Sequence, residues 1–111
     1  MIRKIFFIFF VLIFFSTICQ AHKVIVFAWV EDGKIYTESS FGSKRYAKNC
    51  KITAHTKSGE IIQSGYTDEQ GLYSFDIPPN IYTDIKIILN AGEGHQAVWT
   101  IPEAELTSIS T

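Results

Sequence analysis

Three histidines are the side chains of this 111-residue chain with the clearest capacity for chemistry. His22 lies in TICQAHKVIVFAWV (17–30), His55 in CKITAHTK (50–57) and His95 in GEGHQAVW (92–99). If the chain is cut after Ala21, His22 becomes the first residue, and its α-amine and Nδ1 can chelate one divalent ion. An α-amine has a pKa of about 7.7–8.0, so a metal displaces its proton near neutral pH. Amine and imidazole nitrogens suit copper, nickel and zinc. His95 enters the last apolar segment directly after Gly92 and Gly94, residues that allow a sharp turn or the close approach of another group. Together the amine, His22 and His95 would form a three-nitrogen brace that favours copper and tolerates nickel, with Glu93 as a candidate oxygen ligand. A plainer account stands beside each: an N-terminus left where processing put it, a surface histidine at a turn, a solvated loop acid.

Other reactive residue types are placed less favourably. His55 shares a polar strand face with Lys51, Thr53 and Lys57, and neighbouring positive charge discourages cation binding. Cys50 falls on the apolar side of the same strand, which predicts a buried, inert thiol. The sequence has no serine elbow, no pair of cysteine ligands and no glycine-rich phosphate loop, and Asp68-Glu69 reads as turn chemistry. We therefore expect no enzyme. Trp29 and Trp99 are assigned to core packing, and Phe41, Tyr46 and Tyr82, in loops, offer a candidate docking patch.

The first residues decide whether His22 ever becomes a terminus. Arg3 and Lys4 precede an unbroken apolar run of 11 residues, Ile5 to Phe15, and Ser16 to Ala21 is more polar. That order predicts a secretory signal peptide over 1–21, with Cys19 and Ala21 as the small residues flanking the cut. The stretch from Ile5 to Ile18 is 14 residues, short of the roughly 20 that a membrane helix needs. Lipidation of Cys19 is a lesser alternative, since bulky Ile18 stands where a small residue normally precedes such a cysteine. The expected location is periplasmic or otherwise extracytoplasmic.

Cleavage leaves 90 residues, enough for one small domain with a modest core. Eleven carboxylates against eight Lys and Arg bring this part near −3, with no block of like charge, which argues against a nucleic-acid partner. Cys50 is its one cysteine, so no internal disulfide can form, and packing, an ion or a partner must stabilise it.

The elements that must position these groups read as strands. Apolar residues recur at period 2 or in short runs, with no sustained helical spacing. Strands are predicted at 22–31, 34–40, 50–57, 60–67, 72–77, 83–91 and 96–101, separated by Asp32-Gly33, a polar loop at 41–49, Ser58-Gly59, DEQG (68–71) and Pro78-Pro79. Seven short strands with regular turns predict an all-β sandwich over 22–101. Residues 102–111 form a tail in which PEAEL (102–106) is a short helical stub. Strand 22–31 is apolar on both faces, as if covered twice or lying against a partner. If the first and last strands run parallel side by side, His22 and His95 come to one end.

Two resemblances follow from particular residues. GYTDEQGLYSFDIP (65–78) resembles the strand–turn–strand signature of carboxypeptidase regulatory-like, or transthyretin-like, domains: a Thr-Asp pair, a turn closed by Gly71, and an aromatic two residues later pointing inward. This implies a Greek-key sandwich of seven strands and says almost nothing of function. More narrowly, AHKVIVFAWVEDGKIYTESSF (21–41) with AGEGHQAVW (91–99) resembles the small exported component encoded beside nickel and cobalt uptake transporters. The match runs through His22, Lys23, Phe27, Ala28, Trp29, Gly92, Gly94, His95, Ala97 and Trp99. It implies an accessory role in nickel or cobalt uptake and a membrane transporter as partner. The alternative is a non-catalytic structural or adaptor sandwich that binds a membrane or cell-envelope protein, with edge addition to strand 22–31 as one means.

Overall fold

The computed structural model describes residues 23–42 and 45–107. These form two antiparallel sheets around one apolar core, as the period-2 alternation predicts. The strands are β1 (Val24–Glu31), β2 (Lys34–Phe41), β3 (Arg45–Tyr46), β4 (Lys51–His55), β5 (Ile61–Tyr66), β6 (Leu72–Asp76), β7 (Ile85–Asn90) and β8 (Gln96–Ile101). A short helix, α1 (Glu103–Thr107), follows. Strand β3 lies within the stretch predicted to be loop; it is two residues long and pairs Tyr46 with Ser40 and Arg45 with Phe41.

In the first sheet β2 is central. It pairs with β1 on one side and with β6 and β3 on the other. The β1–β2 hairpin turns on Asp32 and Gly33, both with positive φ (51° and 76°), the conformation a two-residue hairpin requires. That turn sets the register Glu31↔Lys34, Trp29↔Tyr36, Phe27↔Glu38, and so sends Val26, Ala28 and Val30 inward and Phe27 and Trp29 outward. The second sheet has the order β5-β4-β7-β8, with a bulge between Ala54 and His55. Its inward side chains Ile52, Ala54, Ile85, Ile87, Leu89 and Ile101 complete the core. A buried branched side chain contributes about 1.5–3 kcal/mol, so this row and its counterparts on β1 and β2 dominate the stability.

Two connections tie the sheets together. Ala47 donates its backbone N–H to Ser39 of the first sheet (3.1 Å), while Thr67, just past β5, donates its N–H to the Cys50 carbonyl (2.9 Å). The buried Thr67 hydroxyl accepts from the Cys50 N–H (2.9 Å) and donates to the Ala47 carbonyl. Helix α1 is anchored at the far end: the Glu103 N–H meets an Asp84 carboxylate oxygen at 2.9 Å, and Leu106 is buried in the core. The predicted stub at 102–106 is thus a lid on the core end of the sandwich.

Two expectations are corrected. Trp29 and Trp99 are not core residues, each being 37% exposed. Trp29 has the outward parity set by the hairpin. Trp99 has the inward parity of Ile87, its partner on β7, but β8 is an edge strand, so the indole spills past the edge and meets Phe27 of β1 edge to face, centroids 5.5 Å apart. Among the described residues strand β1 is covered on one face only, for Phe27 is 48% exposed, so of the two expected explanations for its second apolar face only a partner remains.

Candidate functional site

His95 and Glu93 belong to the turn that joins β7 to β8. The Ala91 N–H bonds to the His95 carbonyl and the His95 N–H to the Gly92 carbonyl, both at 2.9 Å, while Asn90 Oδ1 accepts from the Gly92 N–H at 2.9 Å. Gly92, Glu93 and Gly94 all have positive φ (87°, 49° and 79°). Glycine adopts this freely; for glutamate the left-handed region costs about 1–2 kcal/mol. Glu93 is exposed, and His95 is half-buried with no hydrogen bond to either ring nitrogen among the described residues. Both side chains are therefore free to take a ligand.

The same end of the molecule receives the start of β1. Val24 pairs with Phe41 beside the Ser39–Ala47 link, and Gln96 pairs with Asn90, which pairs in turn with Lys51 beside the Cys50–Thr67 link. Strands β1 and β8 thus begin at one pole and run in the same direction, in contact without a hydrogen-bonded ladder between them. Lys23 is held at this pole by its carbonyl, which accepts from the Gly42 N–H at 2.6 Å. His22, the remaining member of the expected ligand set, lies outside the described residues. Among the described residues no three His, Cys, Asp or Glu side chains gather as a metal-holding group. His95 and Glu93 offer one imidazole and one carboxylate, a donor pair that suits a borderline divalent ion only with further nitrogen from elsewhere.

The other candidates separate cleanly. His55 is at the opposite end of β4, paired across the sheet with Lys86, and its ring is engaged by the Thr53 hydroxyl (Nε2, 2.9 Å) and near the Gly59 carbonyl (Nδ1, 3.5 Å). Cys50 is buried; its Sγ donates to the Lys48 carbonyl at 3.3 Å. Burial pushes the thiol's pKa up, with a smaller opposing effect from the Thr67 hydroxyl, so the nucleophilic thiolate is disfavoured at neutral pH. Phe41 and Tyr46 adjoin at the His95 pole, where Arg45 lies over the Phe41 ring (5.8 Å to its centroid). Tyr82 belongs to the segment after β6, whose end pairs with Lys34 at the other pole, so the three aromatics make no single patch.

One feature escaped sequence reasoning. A groove of about 490 Å³ crosses the outer face of the first sheet, lined by Trp29, Tyr36, Tyr66, Asp68, Leu72 and Ser74 among others. The signal was available: the Asp32-Gly33 turn dictates that Trp29 faces Tyr36 and that both point away from Val26, Ala28 and Val30. Compared with protein-family models, curated proteins and solved structures, the chain matches none.

Proposed function

We propose that this protein is an exported, non-enzymatic accessory of divalent transition-metal uptake. It is secreted by a signal peptide at 1–21 and takes nickel, copper or cobalt at the pole of a sandwich spanning 22–101. In this reading the α-amine and imidazole of His22, the imidazole of His95 and the carboxylate of Glu93 hold the ion, and a membrane transporter receives or supplies it. The fold would be a Greek-key, transthyretin-like sandwich in which β3 is a two-residue addition to seven principal strands. One observation supports the reading: β1 and β8 begin at the same pole, so Lys23, at the entry to β1, and the ring of His95, unpartnered among the described residues, belong to one end of the molecule. Acid should release the ion, because amine and imidazole must be unprotonated to coordinate.

Calorimetry on two forms of the protein tests this. Protein beginning at His22 should bind about one ion per chain. Protein with one additional residue before His22 should bind far more weakly, since an amide replaces the amine. His95→Ala should weaken binding and His55→Ala should not. Equal affinity of the two forms would overturn the brace.

A second reading, an adaptor for a membrane or envelope protein, is favoured by the aromatic pair exposed where β1 and β8 meet. Strands β1 and β8 are both edge strands, and the exposed Phe27–Trp99 pair adjoins them. Main-chain pairing along β1, with the rings as anchors, would serve such a partner. Copurification with membrane proteins that survives loss of both His22 and His95 would select this reading.

A further inference from the structure

The outer-face groove of the first sheet has a chemistry of its own. Trp29 and Tyr36, opposite each other on β1 and β2, set their rings nearly parallel, 14° between planes and 5.7 Å between centroids. Tyr66 and Leu72, both exposed, continue the apolar lining, while Ser74 lies beside Tyr36 across the β2–β6 pair. Two polar side chains of the lining are engaged within the sandwich: Thr37 Oγ1 donates to the Tyr73 carbonyl (3.0 Å), and the Tyr73 hydroxyl accepts from Gln63 Nε2 (2.7 Å) and donates to the Ser64 carbonyl (3.3 Å). The others are wholly or partly uncommitted. The Tyr36 and Tyr66 hydroxyls and Ser74 Oγ have no hydrogen-bond partner among the described residues. Asp68 uses Oδ1 for the N–H groups of Gln70 (2.8 Å) and Leu72 (3.0 Å), leaving its second oxygen free. Among the described residues Asp68 is also the only charged one in the lining, which holds no cation for a phosphate or carboxylate.

A ligand that fits must have a flat apolar face to lie against the Trp29–Tyr36 stack, hydroxyls around its rim to meet scattered donors and acceptors, and no negative charge. Pyranose rings have that constitution: C–H groups on the faces and hydroxyls at the edge. A lipid chain would leave the hydroxyls and the carboxylate unpaired, at a cost in desolvation. The volume lies within the ordinary range of small-molecule sites, about 300–1,000 Å³, and the groove is open, so a chain can continue beyond it. We propose that this groove binds a neutral saccharide, with Trp29 and Tyr36 as the stacking platform and Tyr66, Asp68 and Ser74 as hydrogen-bonding groups on the ring hydroxyls. The site shares no residue with His22, Glu93 and His95 and stands or falls independently of the metal reading.

The protein contains two tryptophans, so the Trp99→Phe variant leaves Trp29 as the only indole reporter. Its emission would be followed during titration with glucose, maltohexaose and chitohexaose, with circular dichroism confirming an unchanged fold. Saturable change with at least one sugar is expected, weakened about tenfold or more by Tyr36→Ala. Tyr66→Phe and Ser74→Ala, which remove one hydroxyl each, should weaken it several-fold, and His95→Ala should leave it unchanged. Saturation by the hexasaccharides alone assigns the groove to a glycan chain; equal saturation by glucose assigns it to a free sugar. No saturation by any of the three up to about 10 mM, where even binding of about −4 kcal/mol would register, overturns the proposal. So does a response indifferent to Tyr36→Ala, Tyr66→Phe and Ser74→Ala together.

Discussion

The chain contains two glycine-bearing turns that look alike in sequence, DEQG at 68–71 and GEG at 92–94, and they are built for different purposes. In the first, Gly71 has a φ of 74° and its carbonyl accepts from the Ser39 N–H at 2.8 Å; a Cβ placed on it would lie 2.2 Å from the Ser39 carbonyl oxygen. Asp68 clamps the same turn through its side chain and exchanges main-chain bonds with Leu72 and Gly71. In the second turn a Cβ on Gly92 or Gly94 would meet nothing within 4 Å among the described residues. Both turns need left-handed backbone, but only the first needs glycine's missing side chain as well. A turn pressed against its neighbour is structural, whereas one that opens onto free space leaves room beside His95 and Glu93 for another group.

The contrast can be broken by substitution. Gly71→Ala should be the most damaging, at about 3–4 kcal/mol, because the left-handed penalty adds to a clash with main chain that cannot swing aside. Urea denaturation would measure it, and a loss below about 1 kcal/mol would mean that the turn is as free as its counterpart. Asp68→Ala should cost about 1–2 kcal/mol through the two N–H groups it leaves to solvent, again read from the denaturation midpoint. Gly94→Ala should cost only about 1 kcal/mol, from backbone conformation alone. Its larger effect should appear in nickel affinity if the pole holds the ion, so stability and calorimetry would move by different proportions. The smallest change should come from Ser39→Ala. Its hydroxyl is buried beside the first turn without a hydrogen-bond partner among the described residues, so thermal stability should stay within about 0.5 kcal/mol or rise.

Much of this architecture was legible in the residues. Alternation in VIVFAWVE, KITAH and IKIILN announces strands with one apolar row, and that row is what the core contains. The turn signals also held, because Asp32-Gly33 and Asp68-to-Gly71 act through local backbone geometry. Strand β3 was not legible: Arg45 and Tyr46 carry no alternation, and what makes them a strand is the free edge of β2 beyond the reach of β6. The exposure of the tryptophans is not legible either, for a related reason. An indole reads as core material from composition, but whether it is covered depends on hairpin parity for Trp29 and on edge position for Trp99.

By itself, then, the sequence determined the strands, their buried rows and the turns between them, since each depends on neighbours a few residues apart. It also marked His95 and Glu93 as residues of a turn and Cys50 as a buried one. Only the tertiary structure decided that β1 and β8 start at a common pole, that His55 lies at the other end of its strand, and that Trp29, Tyr36, Tyr66 and Ser74 line one groove. Those relations join residues of different strands and sheets. They follow from the order in which strands pair and from the main-chain and Thr67 bonds that link the two sheets at the His95 end, not from any local propensity.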